Sequence, residues 1–332
     1  MVNMKSLRGQ SGAAILLALL IMTLVATLAV GMVWLQWRGI EVESAERARA
    51  QAQWLLNASL DWGNLILRSQ RGQTEDDLGQ PWATALAETK LSSFLSADGN
   101  HTDDGGPEAY LSGQITDAEG KYNLYNILLN PSKLDEIQRL GIICQAIGVP
   151  VSTASTIGAG LRDSLSAQQN VGQGGQANGV LMPIQIEDLA WYGIDPKVIK
   201  QLTPFIELLP MPAGSAATTI NANTAPAEVL QAALPGISPA QAQQIVLARQ
   251  SHPFQSPKDI WLAMGRPAAQ PWAPPPGGPA DNQVDVKSFH FEIYGQLRYE
   301  QHVIRERSVV WRPAPGQALQ VLRRERIPPD PT

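Results

Sequence analysis

The chain has 332 residues, a formal net charge of -5 and one cysteine, enough length for an anchor plus two folded units at about 100–200 residues per domain. The acidic total disfavours nonspecific binding to phosphates, which needs clustered Lys and Arg. The lone Cys144 excludes an intrachain disulfide and, within Leu140 to Ile147, reads as a small buried hydrophobe.

A polar leader with Lys5 and Arg8 ends at Gly12, and Ala13 to Leu35 follow as 23 residues without a charge. At about 1.5 Å per residue that stretch reaches roughly 34 Å, enough to cross a bilayer core. A removable secretory signal would show about 7–15 apolar residues and a small-residue cleavage site beyond them; neither is present. Lys5 and Arg8 place the N-terminal side in the cytoplasm and the long C-terminal part across the membrane. The apolar run begins directly after Gly12, and this junction resembles the class III leader of type IV pilins and type II secretion pseudopilins. The resemblance implies a peptidase cut after Gly12 and methylation of Ala13. On these residues alone, an uncleaved anchor carrying a periplasmic adaptor stays open.

Most subunits of that kind carry glutamate at the fifth mature position, where this chain has Leu17. A carboxylate in a bilayer is unfavourable by roughly 2.5–3.5 kcal/mol on insertion scales, so it is kept only for a purpose. In the family that purpose is pairing with the N-terminal amine of a neighbouring subunit. The K-type minor pseudopilin, placed at the pseudopilus tip, is the exception, and Leu17 resembles it.

After the span, Leu55, Ala58, Trp62, Leu65 and Ile66 fall at helical spacing, predicting that the helix continues to about Arg68 with this stripe packed on a head domain. Residues 70–108 read as loops with a short helix near 81–95. Tyr110 to Thr116 reads as a strand, Asp117 to Gly120 as its turn, and Lys121 to Tyr125 as a return strand. The segment Ile115-Thr-Asp-Ala-Glu-Gly-Lys-Tyr-Asn-Leu-Tyr-Asn126 closely resembles the entry to the inserted domain of K-type pseudopilins. There Asp117 and Gly120 supply turn chemistry, while Asn123 and Asn126 can bond local backbone.

From Ser132 to about Met264 the pattern is helical and almost free of strands. Starts are marked at Ser132, at Asp195-Pro196, at Thr224 with Pro226 and Glu228, at Ser238 with Gln241, and at Ser256 with Asp259. Residues 220–262 read as a helix-hairpin-helix or SAM-like unit, and Ile220-Asn-Ala-Asn-Thr-Ala225 is similar to a motif of the K-type helical domain. Arg249 and Lys258 are the basic residues of this unit besides His252, opposed by Glu228 and Asp259, so it has no electrostatic footprint for DNA. Six prolines between Arg266 and Ala280 make a semi-rigid connector. Period-two patterning follows, with Phe289, Phe291 and Ile293 on one face, predicting strands near 287–299, 302–312 and 317–323. Ile327 to Thr332 reads as an unstructured tail.

No catalytic constellation is present: His101, His252, His290 and His302 belong to no metal or triad motif, and no nucleophile elbow or phosphate loop occurs. The chain reads as a structural protein, not an enzyme. K-type pseudopilins can bind calcium through an acidic loop, but here Gln168 to Asn178 holds no carboxylate. Asp163, Glu187 and Asp188 remain as calcium candidates, with surface charge or a helix cap as the plainer reading of each.

These features identify the chain as a K-type minor pseudopilin of a type II secretion system. The expected fold is α+β: a long N-terminal transmembrane helix packed on an antiparallel sheet, with a large all-α domain inserted between strands. The expected divisions are a leader at 1–12, a transmembrane helix at 13–36, a pilin-like head at 37–126, an inserted helical domain at 127–265, a linker at 266–282, the returning head strands at 283–325 and a tail at 326–332. The resemblance implies a role in capping the pseudopilus tip and starting its assembly from the bacterial inner membrane, with a single pass and a periplasmic head. The implied partners are the I-type and J-type minor pseudopilins, the major pseudopilin, the prepilin peptidase and the inner-membrane secretion platform. A minor pilin of a type IV pilus or competence system, contacting DNA, is the alternative.

Overall fold

A computed structural model describes residues 11–70, 72–90, 109–129, 135–172, 179–210, 217–234, 236–265, 283–299, 302–313 and 317–328. Residues 1–10 of the leader, Ser132, the glutamine-rich stretch at 173–178, the proline-rich connector at 266–282 and residues 329–332 lie outside the described residues. The chain forms two units, Met1–Leu55 and Leu56–Thr332.

The first unit is helical throughout its described residues. Helix α1, Ser11–Ser69, begins here, and Leu, Ala and Met, all strong helix formers, dominate its apolar run without a proline. The described side chains from Ala13 to Arg47 are exposed. Among the described residues this is the one helix long and apolar enough to cross a membrane.

The second unit takes in the last turns of α1 and a five-stranded antiparallel sheet ordered β1-β2-β7-β8-β9. Its strands are β1 (Leu86–Lys90), β2 (Ala109–Asp117), β7 (His290–Tyr299), β8 (His302–Trp311) and β9 (Gln320–Ile327). Phe291, Ile293, Leu297 and Tyr299 alternate inward along β7, and the register sets Ile115 opposite Ile293 and Phe291 opposite Val310. Leu60 and Leu67 of α1 join Trp82, Ile115, Phe291, Ile293 and Val310 in one apolar cluster. Gly63 lets the helix come close, since a Cβ there would stand 3.1 Å from Ile293 Cγ2.

Between β2 and its neighbour β7 the chain builds seven helices among the described residues: α2 (Asn126–Leu129), α3 (Asp135–Ala146), α4 (Ser152–Gly172), α5 (Pro196–Leu202), α6 (Ala227–Ala233), α7 (Pro239–Ser251) and α8 (Pro257–Ala263). Their shared core also takes in Tyr122, Leu124, Val284 and Val286. Asp195 caps α5, and capping boxes close Ser238 with Gln241 and Ser256 with Asp259, as the spacing predicts. Thr224 caps no helix; Pro226 holds the N-cap position of α6.

Further local expectations are corrected. The buried stripe of α1 is Leu56, Leu60, Gly63 and Leu67, while Trp62 and Leu65 are exposed; the helix carries apolar residues on more than one face, so spacing alone selects the wrong one. Over 81–90, where the sequence predicts the greater part of a short helix, stands a 3-10 turn at Pro81–Ala83 followed by β1, while residues 91–95 lie outside the described residues. Ladder pairing with β2 overrides the helix propensity of its Ala and Leu. Residues 121–125 do not return along β2: β3 (Tyr122–Asn123) pairs in parallel with β4 (Ile206–Glu207). Likewise β5 (Ile220–Asn221) pairs in parallel with β6 (Val284–Asp285), placing two-residue strands in a region read as helical. Ile327 is the last residue of β9 instead of the first of a tail.

Candidate functional site: the N-terminal helix and the polar junction

Gly12 and Ala13 lie in the first turns of α1, and Leu17 is exposed, its side chain surrounded by other aliphatic residues of the run. No carboxylate occurs before Glu41. A helix surface of this kind offers no counter-charge to an amine brought against it.

The second cluster forms where the chain leaves the sheet. Three asparagines from the two sequence motifs each clasp a distant backbone segment with both ends of the amide. Asn123 Nδ2 donates to the Leu209 carbonyl at 3.1 Å, and the Leu209 N–H donates back to Oδ1 at 3.0 Å. Asn126 holds Thr218 in the same way, at 3.0 Å in each direction. Asn223 Nδ2 donates to the Phe254 carbonyl at 2.9 Å, and the Phe254 N–H returns to Oδ1 at 2.8 Å. The amide thereby supplies the donor and acceptor that a neighbouring strand would provide.

Asn221 joins the motifs. Its Nδ2 lies 2.9 Å from the Asp76 carbonyl, 2.8 Å from Asp117 Oδ2 and 2.9 Å from Ser288 Oγ. Asp117 Oδ2 also accepts from Ser288 Oγ at 2.6 Å and Thr224 Oγ1 at 2.7 Å, while Oδ1 accepts from the Glu119 N–H at 2.8 Å. Burial nevertheless raises the Asp117 pKa, because these bonds only partly replace lost hydration. Glu119 Oε1 stands 2.6 Å from His290 Nδ1; burial pushes this carboxyl up to about 6, against the lowering effect of the His290 bond. Beside them, Arg312 Nη2 meets Asp76 Oδ2 at 2.5 Å and stacks 4.4 Å from the Phe291 ring centroid. Asp76, Ser288, His290 and Arg312 belong to neither sequence motif, and only the finished fold brings them to Asn221, Asp117 and Glu119.

Of the calcium candidates, Asp163 and Glu187 are exposed. Asp188 Oδ2 accepts from the backbone of Ile184 and Gln185, both at 2.9 Å, closing the turn at Ile186–Tyr192. Asp163 and Asp188 both approach Tyr192, whose hydroxyl pKa is raised by burial first and then by those charges. No group of three acidic, His or Cys side chains suited to a metal occurs among the described residues.

In the helix-hairpin-helix unit, Arg249 Nη1 donates inward to the carbonyls of Ala222 at 2.7 Å and Ala225 at 2.5 Å, and burial lowers its pKa to about 10. Arg139 likewise reaches the carbonyls of Ala232 and Ala233 at the end of α6. These guanidinium groups hold backbone in place of phosphate.

Residues 220–276, beginning at the Ile220 motif, match the family described as Type II secretion system (T2SS), protein K. The chain is 27% identical over 274 residues to Type II secretion system protein K of Pseudomonas aeruginosa (strain PAO1), covering 76% of each chain. A chain of the crystal structure of the GspK-GspI-GspJ complex from the enterotoxigenic Escherichia coli type 2 secretion system has the same fold, with a TM-score of 0.58 and 18% identity, over 86% of this chain and 99% of that one. The type IV pilus alternative finds no support among these matches: the chain is similar in sequence to protein K of type II secretion systems and shares the fold of the solved GspK chain.

Proposed function

We propose that the chain is a structural subunit that occupies the end of a pseudopilus and helps start its assembly at the inner membrane. It would be cut after Gly12 and methylated at Ala13, with its head in the periplasm. The observation that carries this reading is Leu17 within a charge-free helix. A subunit placed above would bring its N-terminal amine into hydrocarbon with no carboxylate to meet it, and an uncompensated charge there is strongly unfavourable. The helices built between β2 and β7 add bulk that would obstruct the addition of another subunit above. The solved relative is a complex of GspK with GspI and GspJ, and the corresponding I-type and J-type subunits are the partners proposed here. The major pseudopilin and the secretion platform would be met during assembly. Calcium at Asp163 and Asp188 would require further ligands supplied on binding, and the turn-closing role of Asp188 argues against it.

Introducing Leu17→Glu tests the terminal position. The variant should fold and insert normally but lose its preference for the tip, seen by labelling sheared pseudopili and by secretion assays. Normal secretion with unchanged tip occupancy would overturn the argument from Leu17. Mass spectrometry of the membrane-extracted chain, coexpressed with its peptidase, should show residues 1–12 absent and one methyl group on Ala13; an intact leader would overturn the processing assignment.

A further inference from the structure

We propose that Trp34, Trp37 and Arg38 form an interfacial anchor that sets the depth of α1 by binding the headgroup layer of a phospholipid leaflet. This rests on the reading of α1 as a membrane-spanning helix. Trp37 follows Trp34 by three positions and Arg38 follows it by four, so the three share one face. The indoles are 55% and 61% exposed, and the Arg38 guanidinium lies 5.6 Å from the Trp34 ring centroid. Ala29, Val30 and Val33 line an apolar groove with the two indoles. Along this face the chemistry passes from aliphatic to amphipathic aromatic to cationic within a few turns. That is the order of acyl chain, ester carbonyl and phosphate across a leaflet.

The spacing agrees. From Ala13 to Trp34 the helix rises about 32 Å at about 1.5 Å per residue, against a hydrocarbon thickness of about 30 Å. When the start of the apolar run meets one border, the indoles meet the other. An apolar partner helix would bury two indole N–H groups and a guanidinium without acceptors, which is unfavourable. The ester and phosphate oxygens of lipid supply those acceptors. Nearby charges are already engaged: Arg47 pairs with Glu43 at 2.5 Å, and Arg49 lies 3.7 Å from Glu46. Arg38 has no carboxylate partner among the described residues and stacks on an indole, a geometry that leaves its N–H groups available to a phosphodiester. Glu41, Glu43 and Glu46, which follow, resist deeper insertion into an anionic surface.

The test reconstitutes the full chain in phosphatidylethanolamine–phosphatidylglycerol vesicles whose acyl chains carry bromine either beside the carbonyl or near the terminal methyl. Comparing the parent with a Trp34→Phe, Trp37→Phe variant isolates the emission of this pair. That emission should be quenched mainly by bromine beside the carbonyl; Arg38→Glu should remove most of this preference and Arg38→Lys should retain it. Equal quenching by both lipids, quenching mainly from the terminal methyl, or none would overturn the anchor. An Arg38→Glu profile identical to the parent would overturn the phosphate contact. An alkaline wash separates the two levels: a chain released from the vesicles refutes the membrane-spanning reading, whereas a retained chain with unquenched indoles refutes this anchor alone.

Discussion

At the scale of the residue, the buried polar junction is where single substitutions should be felt most. Asn221→Ala would remove the donor shared by Asp117 and the Asp76 carbonyl, and leaving buried acceptors unmet costs about 1–3 kcal/mol. Urea unfolding of the extracted head should report a loss of that size; a midpoint unchanged from the parent would remove Asn221 as the hub. The Asp76–Arg312 pair should respond asymmetrically. Arg312→Met leaves a bare buried carboxylate and should destabilise by about 3–5 kcal/mol, whereas adding Asp76→Leu should recover most of the loss. A double variant as unstable as the single one would mean that packing, not charge, dominates there. Glu119 gives a pH signature. Its pKa rises from 4.5 to about 6 in the fold, so the native state holds this proton more tightly than the unfolded chain. Its ionised form therefore costs about 2 kcal/mol above pH 6, a penalty relieved as pH falls towards 4.5. Glu119→Gln should flatten the dependence of the unfolding midpoint across that window, leaving the contribution of Asp117, whose shift has the same sign. An unchanged slope would exclude Glu119 as its source. The asparagines at the core of this junction were legible as a motif because local turn chemistry surrounds them. Asp76 and Arg312 were not, since a pair 236 positions apart leaves no local pattern.

At the scale of the element, α1 shows where periodicity runs out. Trp62, Leu65 and Ile66 satisfy helical spacing as well as Leu56, Leu60 and Leu67 do, and only the approach of Ile293 to Gly63 decides which face packs. Gly63→Leu should therefore destabilise the head by about 1–3 kcal/mol through overpacking, while Leu65→Ala, at a position 60% exposed, should stay within about 0.5 kcal/mol. Thermal unfolding of both variants checks the assignment, and the reverse ranking would restore the other stripe as the packed face. Strand β7 was legible because a sheet with one buried face imposes alternation along it. The two-residue strands β3 to β6 were not, because they are too short to show any period.

At the scale of the whole molecule, the helical core does not stop at the connectors. Tyr122 and Leu124 enter it from one side, and Val284 and Val286 from the other. A fragment covering 121–287 is therefore expected to melt cooperatively, and a shorter one covering 127–265 to lose that cooperativity; calorimetry of the two decides. If both melt alike, the four flanking residues are dispensable. The order of the elements was legible because each change of period is abrupt, from helix to strand and back. The parallel pairings that tie each end of the insertion to its interior, β3 to β4 and β6 to β5, were hidden, since they depend on residues far apart in the chain. The contact between Asp76 and Arg312 has a further consequence for how the polypeptide is made. One member stands early in the head and the other near its last strand, so a chain ending before Arg312 carries the buried acid without its counter-ion. Prematurely terminated copies are therefore expected to be less stable and more open to proteases than the finished chain, so that the fold itself would act as a proofreader of completed synthesis.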